Sequence, residues 1–347
     1  MPEPTGVALI GTGVWGRRLG AAIQRVPELA LVTCYSRDEA KRNSFASDLG
    51  CEASGSFEAA AEHPQVQGVL LVTPNHHHLE GALVAAARGK HLFVEKPIAD
   101  DLEEAREMRA AYLAAGLILM VGHCFRRLGA ARKVKQLLEV GALGEVVLAE
   151  ANFSLPGSLT PDKWRFYRET CPGGPLMQLG IHHADTLQYW LGPVQRVWGS
   201  FAHLVTEAEI DDVGVAVLEF ANGARGSLAS SYVSPKTFSL RLYGSEAMLD
   251  YQTDMSIWPK AEEMDPATVL TLRTNATSEQ IPFEPRDMLA EELSEFAACM
   301  RGETAPETGA DEALLALEVI TGAIEAQRTG KAYSLSETTA MQQTEPR

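Results

Sequence analysis

The sequence predicts two domains of different class: a parallel α/β half, then an α+β half with an open, mostly antiparallel sheet. Three observations predict this. Apolar runs alternate with helical patterns over the first third of the chain. After Gly122 the pattern changes and strands dominate. A chain of 347 residues also holds two domains at roughly 150 residues each.

The elements follow in order. Val7 to Ile10 is a strand, and Leu19, Ala22, Ile23 and Val26 then recur at helical spacing. Leu29 to Tyr35 is the second strand. Val66 to Thr73 is apolar in its middle, as a strand covered on both faces should be. Leu79, Leu83 and Ala86 mark a helix ending at Gly89, and His91 to Glu95 is the next strand. Asp100 can cap a helix carrying Leu102, Ala105, Met108 and Tyr112, which stops at Gly116. Leu117 to Val121 closes the half.

Beyond it, Val134, Leu137 and Leu138 form a short helix stopped by Gly141, and Glu145 to Phe153 is a strand. A Pro- and Gly-rich loop precedes a helix from Pro175 to Leu191. Val213, Val215 and Val217 alternate, and Asn222-Gly223 signals a hairpin into Ala224 to Tyr232. Thr237 to Tyr243 and Ala247 to Tyr251 form another hairpin. Helices near Arg286 to Met300 and Asp311 to Gln327 end the pattern. The expected boundaries are 1–122 and 123–335, with helix 311–327 able to pack back on the first domain and 336–347 a loose tail.

Composition narrows the function classes. Lys plus Arg is 30 and Asp plus Glu is 46, a net charge of −16, which argues against nucleic acid and anionic membranes as partners. No apolar run reaches the ~18 residues of a membrane span, and the start of the chain has no basic segment of a secretory signal. The five cysteines (Cys34, Cys51, Cys124, Cys171 and Cys299) contain no CxxC pair. They read as incidental thiols in a reducing cytoplasm, not as a metal or disulfide framework.

Residues Val7 to Gly16 run from a strand through G-x-G-x-x-G into a helix. Gly11 permits the tight turn, Gly13 lets the backbone approach a pyrophosphate, and Gly16 allows close helix–strand packing; Thr12, Val14 and Trp15 complete the segment. This is the fingerprint of a dinucleotide-binding Rossmann domain. At the tip of the second strand, Ser36 removes repulsion against a 2′-phosphate and Arg37 can pair with it. NADP(H) is therefore favoured, with NAD(H) kept open by Asp38.

Thr73-Pro74-Asn75-His76-His77-His78 and Glu95-Lys96-Pro97 follow strands, at the ends where ligands of open α/β sheets bind. Three consecutive His on a loop point in different directions, so dispersed contacts are favoured over a metal site. Gln178, His182 and Asp185 sit at i, i+4 and i+7 and share a helical face. Gly180 leaves room for a close approach.

GTGVWG, TPNHHH, GKHLFVEKP, WR and GGPLMQLGIHHAD, in this order, resemble the Gfo/Idh/MocA family of glucose–fructose oxidoreductase and inositol dehydrogenase. The resemblance covers nearly the whole chain. It implies an NAD(P)-dependent oxidoreductase acting on a secondary hydroxyl, or the matching ketone, of a sugar, sugar derivative or polyol. It implies Lys96 and His182 in proton transfer, and Thr73, Asn75, His78, Glu95 and Lys96 at the cofactor. Trp164, Arg165, Gln178 and His183, with Lys96 and His182, are the implied substrate contacts. Many family dehydrogenases carry Asp where this chain has Gln178, which can orient a hydroxyl but cannot raise a histidine pKa by charge. Two alternatives stay open: a relative that cycles a retained cofactor internally for elimination or glycosidic cleavage, and a non-catalytic cofactor-binding protein. Relatives pair their second-domain sheets face to face, so a homodimer or homotetramer is expected.

Overall fold

The computed structural model describes residues 3–257 and 263–336. It divides into two compact units, one of Met1–His123 with Leu289–Ala313 and one of Cys124–Met288 with Leu314–Arg347. Most of the expected tail, from 337 on, lies outside the described residues.

The first unit is a six-stranded parallel sheet. Its strands are β1 (Thr5–Ile10), β2 (Leu29–Tyr35), β3 (Glu52–Ala53), β4 (Gly68–Leu71), β5 (His91–Val94) and β6 (Leu119–Val121), in the order β3-β2-β1-β4-β5-β6. Chain direction around the sheet reverses between β1 and β4, the switch point at which such sheets bind ligands. β1 and β4 are buried along their whole length, which explains their unbroken apolar runs. Helices α1 (Val14–Ile23), α2 (Glu39–Leu49), α3 (Phe57–Glu62), α4 (His78–Ala87) and α5 (Leu102–Ala115) connect them. The residue capping α5 is Asp101 rather than Asp100: its carboxylate accepts the Glu103 and Glu104 amides at 2.8 and 2.9 Å. Gly116, at φ 64°, ends the helix in the left-handed conformation that glycine adopts without strain.

The boundary expected at Gly122 is incomplete, because a later segment returns to this sheet. Phe296, on the helix Met288–Met300, packs edge-on against Phe93 at 5.9 Å. A side chain at Gly68 would meet Phe296 and Met300, so glycine on β4 makes room for that helix. Thr308 then hydroxyl-bonds the Val121 carbonyl at 2.8 Å, and Arg109 on α5 pairs with Asp311. Local pattern could not reveal this, since the helix is amphipathic toward whichever sheet the chain returns to.

The second unit opens with α6 (Gly129–Glu139) and β7 (Val146–Ser154). It continues through α7 (Ile181–Leu191) to β8 (Val194–Ala202), β9 (Val213–Phe220), β10 (Arg225–Ser231), β11 (Thr237–Gly244) and β12 (Met248–Thr253). β13 (Thr268–Arg273), β14 (Ser278–Gln280), α9 (Ala310–Thr329) and β15 (Tyr333–Ser334) follow, whereas α8 (Met288–Met300) is the helix that returns to the first unit. The nine-stranded sheet has the order β14-β13-β12-β11-β7-β10-β9-β8-β15. Every pairing is antiparallel except β7 with β10. Along β9, Gly214, Ala216, Leu218 and Phe220 are buried while Val215 and Val217 are exposed, the period-two signature of a sheet with one open face. The helix expected from Pro175 is two pieces: a π-helical turn at Leu176–Gly180, then α7.

Candidate active site

The fingerprint turn is held by backbone contacts that tolerate no side chain. A Cβ on Gly16 would lie 1.9 Å from the Gly11 carbonyl oxygen, and one on Gly11 (φ 108°) would lie 2.4 Å from the Val72 carbonyl oxygen. Gly13 is the opposite case. It caps α1 with no side-chain hydrogen bond, and a Cβ there would meet nothing within 4 Å. Open space thus lies over the unsatisfied first-turn amides of a helix, which is the requirement for a pyrophosphate. The residues fit a dinucleotide.

At the tip of β2, the Ser36 and Thr12 hydroxyls are 2.8 Å apart, and Arg42 donates to the Ser36 carbonyl at 2.8 Å while lying over the Tyr35 ring. Arg37 is exposed. Asp38 caps α2, accepting the Lys41 amide at 3.0 Å and pairing with the Lys41 ammonium. The acid nearest the tip is therefore occupied by its own helix, while Ser36 and Arg37 remain at the tip.

Trp15 and Glu95 are joined: the indole N–H donates to the Glu95 carboxylate, linking the fingerprint helix to the end of β5. Glu95 is buried, and burial pushes its carboxyl up to about 7 against the opposing pull of the Lys96 charge and the indole hydrogen bond. Lys96 is half-buried and precedes a cis peptide to Pro97. The Asn75 side-chain amide donates to Asp100 at 3.1 Å. Thr73 is half-buried in the same loop.

His78 departs from the expected cofactor contact. It has no exposed surface; Nε2 lies 3.1 Å from the Thr73 carbonyl oxygen, and Nδ1 lies 3.0 Å from that of Pro97. Burial pushes its pKa down to about 4, so the ring is neutral. The neutral ring donates to one of these carbonyls, packs against the other, and leaves no surface for a cofactor.

In the second unit, Gly173 and Gly174 both have positive φ (71° and 50°), and they turn the chain into Pro175 and the π-helical segment. The wider π turn inserts an extra residue per hydrogen-bonded ring. The even α spacing assumed for Gln178, His182 and Asp185 therefore holds only from His182 to Asp185. The room at Gly180 is filled by the unit itself, since a Cβ there would meet Leu176 at 2.8 Å and Ser230 at 3.0 Å. The His182 ring stacks on Phe125, with centroids 4.1 Å apart and planes 21° from parallel. The residue after Phe125, Arg126, makes a two-pronged buried ion pair with Asp185 at 2.8 and 2.7 Å. Sequence reading placed Asp185 on the helix face but did not find its partner, which comes from a distant segment.

His183 is a core histidine. It has no exposed surface, lies 4.6 Å from Phe238 and 5.9 Å from Phe153 by ring centroid, and burial drives its pKa down to about 3. A substrate contact is not open to a ring so enclosed. Gln178 is buried in the π segment. Trp164 starts a short 3-10 turn, and the Arg165 guanidinium lies 4.2 Å above its ring.

Two family models match the chain. The one described as the oxidoreductase family, NAD-binding Rossmann fold, covers residues 5–123. The one described as the GFO/IDH/MocA C-terminal domain covers residues 131–250. The chain is 26% identical over 333 residues to 1,5-anhydro-D-fructose reductase of Ensifer adhaerens, covering 94% of this chain and 97% of the reductase. It is likewise 26% identical to D-xylose 1-dehydrogenase (NADP(+)) 2 of Haloferax volcanii, covering 94% and 98%. A crystal structure from Desulfitobacterium hafniense, named as a candidate NADPH-dependent oxidoreductase, is 36% identical with a TM-score of 0.92, covering 96% of this chain and 98% of that one.

The Glu95 environment sets a pH dependence. Its folded pKa of about 7 lies above the ordinary 4.5. Its contribution to stability is therefore complete below about 4.5 and is lost as pH rises through 7, a change of about 3 kcal/mol. Denaturant unfolding of wild type and Glu95→Gln across pH 4–8 measures it. The difference between the two should fall steadily over that window, and parallel curves would contradict the assignment.

Proposed function

The chain belongs to the Gfo/Idh/MocA family of oxidoreductases, and on that premise we propose that it transfers hydride between NADP(H) and a secondary hydroxyl, or the matching ketone, of a sugar, sugar derivative or polyol. The observation that carries the reading is the open helix start at Gly13, with Lys96 placed directly after β5 in the same sheet. The enzymes named above act on an anhydro-sugar and an aldose, which supports the substrate class.

A bound nicotinamide dinucleotide would supply the hydride acceptor or donor. Gly11, Thr12, Gly13, Val14, Trp15 and Gly16 form the turn that holds its pyrophosphate, with Thr73, Asn75 and Glu95 at the adjoining strand ends. The Lys96 ammonium donates to the reacting oxygen and stabilises developing alkoxide. His182, as a neutral imidazole, accepts the hydroxyl proton. Gln178, Trp164 and Arg165 orient the sugar: an aromatic face stacks on a pyranose, and the amide and guanidinium hydrogen-bond its hydroxyls.

Ser36 and Arg37 support NADP(H) over NAD(H), because Asp38 is committed to capping α2. Comparison of kcat/KM for the two cofactors should favour NADPH, and Arg37→Ala should erode that preference. A wild-type NAD preference untouched by the substitution would refute it. For the chemistry, Lys96→Met and His182→Ala should each lower turnover by roughly 10²–10⁴ while NADPH binding persists. Near-native turnover in both would remove these residues from the reaction.

The open face of the large sheet supports self-association. Trp198, Val217 and Val215 are exposed along β8 and β9, with Val269 on β13 and Leu148 on β7 facing the same way. This face is not uniformly apolar, as alternation alone would suggest: Arg241 at its centre pairs with Asp250 and lies 3.7 Å from Glu150. A homodimer or homotetramer through this face would cover both parts. Light scattering should give a multiple of 37.6 kDa that falls to one chain with Val217→Glu. A wild-type mass of one chain would overturn it.

A further inference from the structure

The segment carrying Trp164 and Arg165 is tied within itself and then to one loop. Trp164–Phe166 form a 3-10 turn. The Thr170 hydroxyl donates to the Trp164 carbonyl at 2.6 Å, and the Tyr167 hydroxyl donates to that of Pro161 at 2.9 Å, so the stretch 161–170 holds its own shape. Arg168 joins this stretch to the loop between β8 and β9. Its guanidinium donates to the Asp211 carboxylate at 3.0 Å and to the Glu209 carbonyl at 2.8 Å. The Glu209 amide donates back to the Phe166 carbonyl at 2.8 Å.

The loop is a firm anchor. Asp212 has no exposed surface, and its carboxylate accepts the Leu204, Val205 and Thr206 amides at 3.0, 2.8 and 2.9 Å. The neighbouring Asp211 faces two ways. Its carboxylate takes Arg168, while its carbonyl lies against Gly174, where a Cβ would sit 2.2 Å from that oxygen. Gly174 turns the chain into the π segment that holds Gln178 and leads to His182.

We propose that Arg168 is a positioning residue for the sugar: through Asp211 and Glu209 it seats the segment of Trp164 and Arg165 on the same loop that braces the turn into Gln178 and His182. This rests on the substrate reading above. The planar guanidinium presents its N–H groups as a fixed fork and so engages two acceptors at a set angle; a lysine ammonium is a point donor without that fork. The Arg168 side chain is 58% exposed, so the ion pair adds little to global stability. Its effect is on geometry, and a displacement of about 1 Å in a group that orients substrate costs up to about 10²-fold in rate. Arg168 belongs to the second unit and the fingerprint turn to the first, so NADPH binding stands apart from it.

Hydrogen–deuterium exchange on the full-length protein tests the joint without any substrate. Arg168→Ala should speed exchange in peptides covering 161–170 and 203–212 by at least about threefold, with the first unit unchanged and the melting temperature held to within about 3 °C. Steady-state kinetics with D-xylose and D-glucose, each with NADP+, test the consequence. Arg168→Ala and Asp211→Ala should each lower kcat/KM by about tenfold, the double variant should be no worse than either, and Arg168→Lys should recover part of the loss. The Kd of NADPH should stay within about twofold of wild type in all four. Unchanged exchange in Arg168→Ala overturns the joint. Faster exchange with wild-type kcat/KM overturns the positioning of the sugar, and additive losses in the double variant overturn the pairing of Arg168 with Asp211. If the wild type oxidises neither sugar, the substrate reading fails for these aldoses while the exchange still decides the joint.

Discussion

The fold of the first unit depends on a backbone-to-backbone contact that excludes side chains. A methyl group on Gly16 would sit 1.9 Å from the Gly11 carbonyl oxygen, so helix α1 can leave β1 at its angle only if residue 16 has none. The constraint propagates. Gly11 presses on Val72, the next residue, Thr73, offers its carbonyl to His78, and the other nitrogen of that ring faces the Pro97 carbonyl. A series of close main-chain contacts thus runs from the fingerprint turn to the peptide after Lys96. Trp15 adds a second route through Glu95. The amides at the α1 start and the backbone that carries Lys96 are therefore tied by one set of loops, which is what preorganised binding of an extended dinucleotide requires.

The second unit solves a different problem, which is keeping charges inside. Arg126 and Asp185 are both nearly inaccessible, and each would cost several kcal/mol unpaired. Their two-pronged geometry compensates and binds the segment carrying Phe125 to helix α7, where Phe125 lies on His182. Asp265 plays a comparable part for α6: its carboxylate accepts the Gly129, Ala130 and Arg286 amides, satisfying a helix start with no cap of its own. Adjacent histidines diverge accordingly. Both are buried, but His182 stacks on Phe125 and lies 6.0 Å from Phe153, while His183 has no exposed surface at all and sits between Phe153 and Phe238 as a neutral core residue.

Some of this was legible in one dimension. The fingerprint glycines, the loops after β4 and β5, and the alternation along β9 are local patterns, and each stands where expected. The N-cap of α5 was displaced by one residue, because Asp100 and Asp101 offer equivalent chemistry and only the chain's approach selects between them. The π turn at Leu176–Gly180 was invisible, since no residue preference separates it from an α turn. His78 matched a cofactor position by resemblance, yet its ring is spent on carbonyls that burial brought to it.

By itself, the sequence determined what depends on neighbours in the chain: the order of elements, the glycines a turn demands, the class of each half, and the presence of Lys96 and His182 in a family motif. Tertiary structure alone decided which distant groups meet. It returned Phe296 to the parallel sheet, brought Arg126 to Asp185, stacked His182 on Phe125, and enclosed His183 completely. The physical reason is range. Dihedral preference and periodicity act over a few residues, whereas desolvation and ion pairing act between whatever the packed chain places side by side.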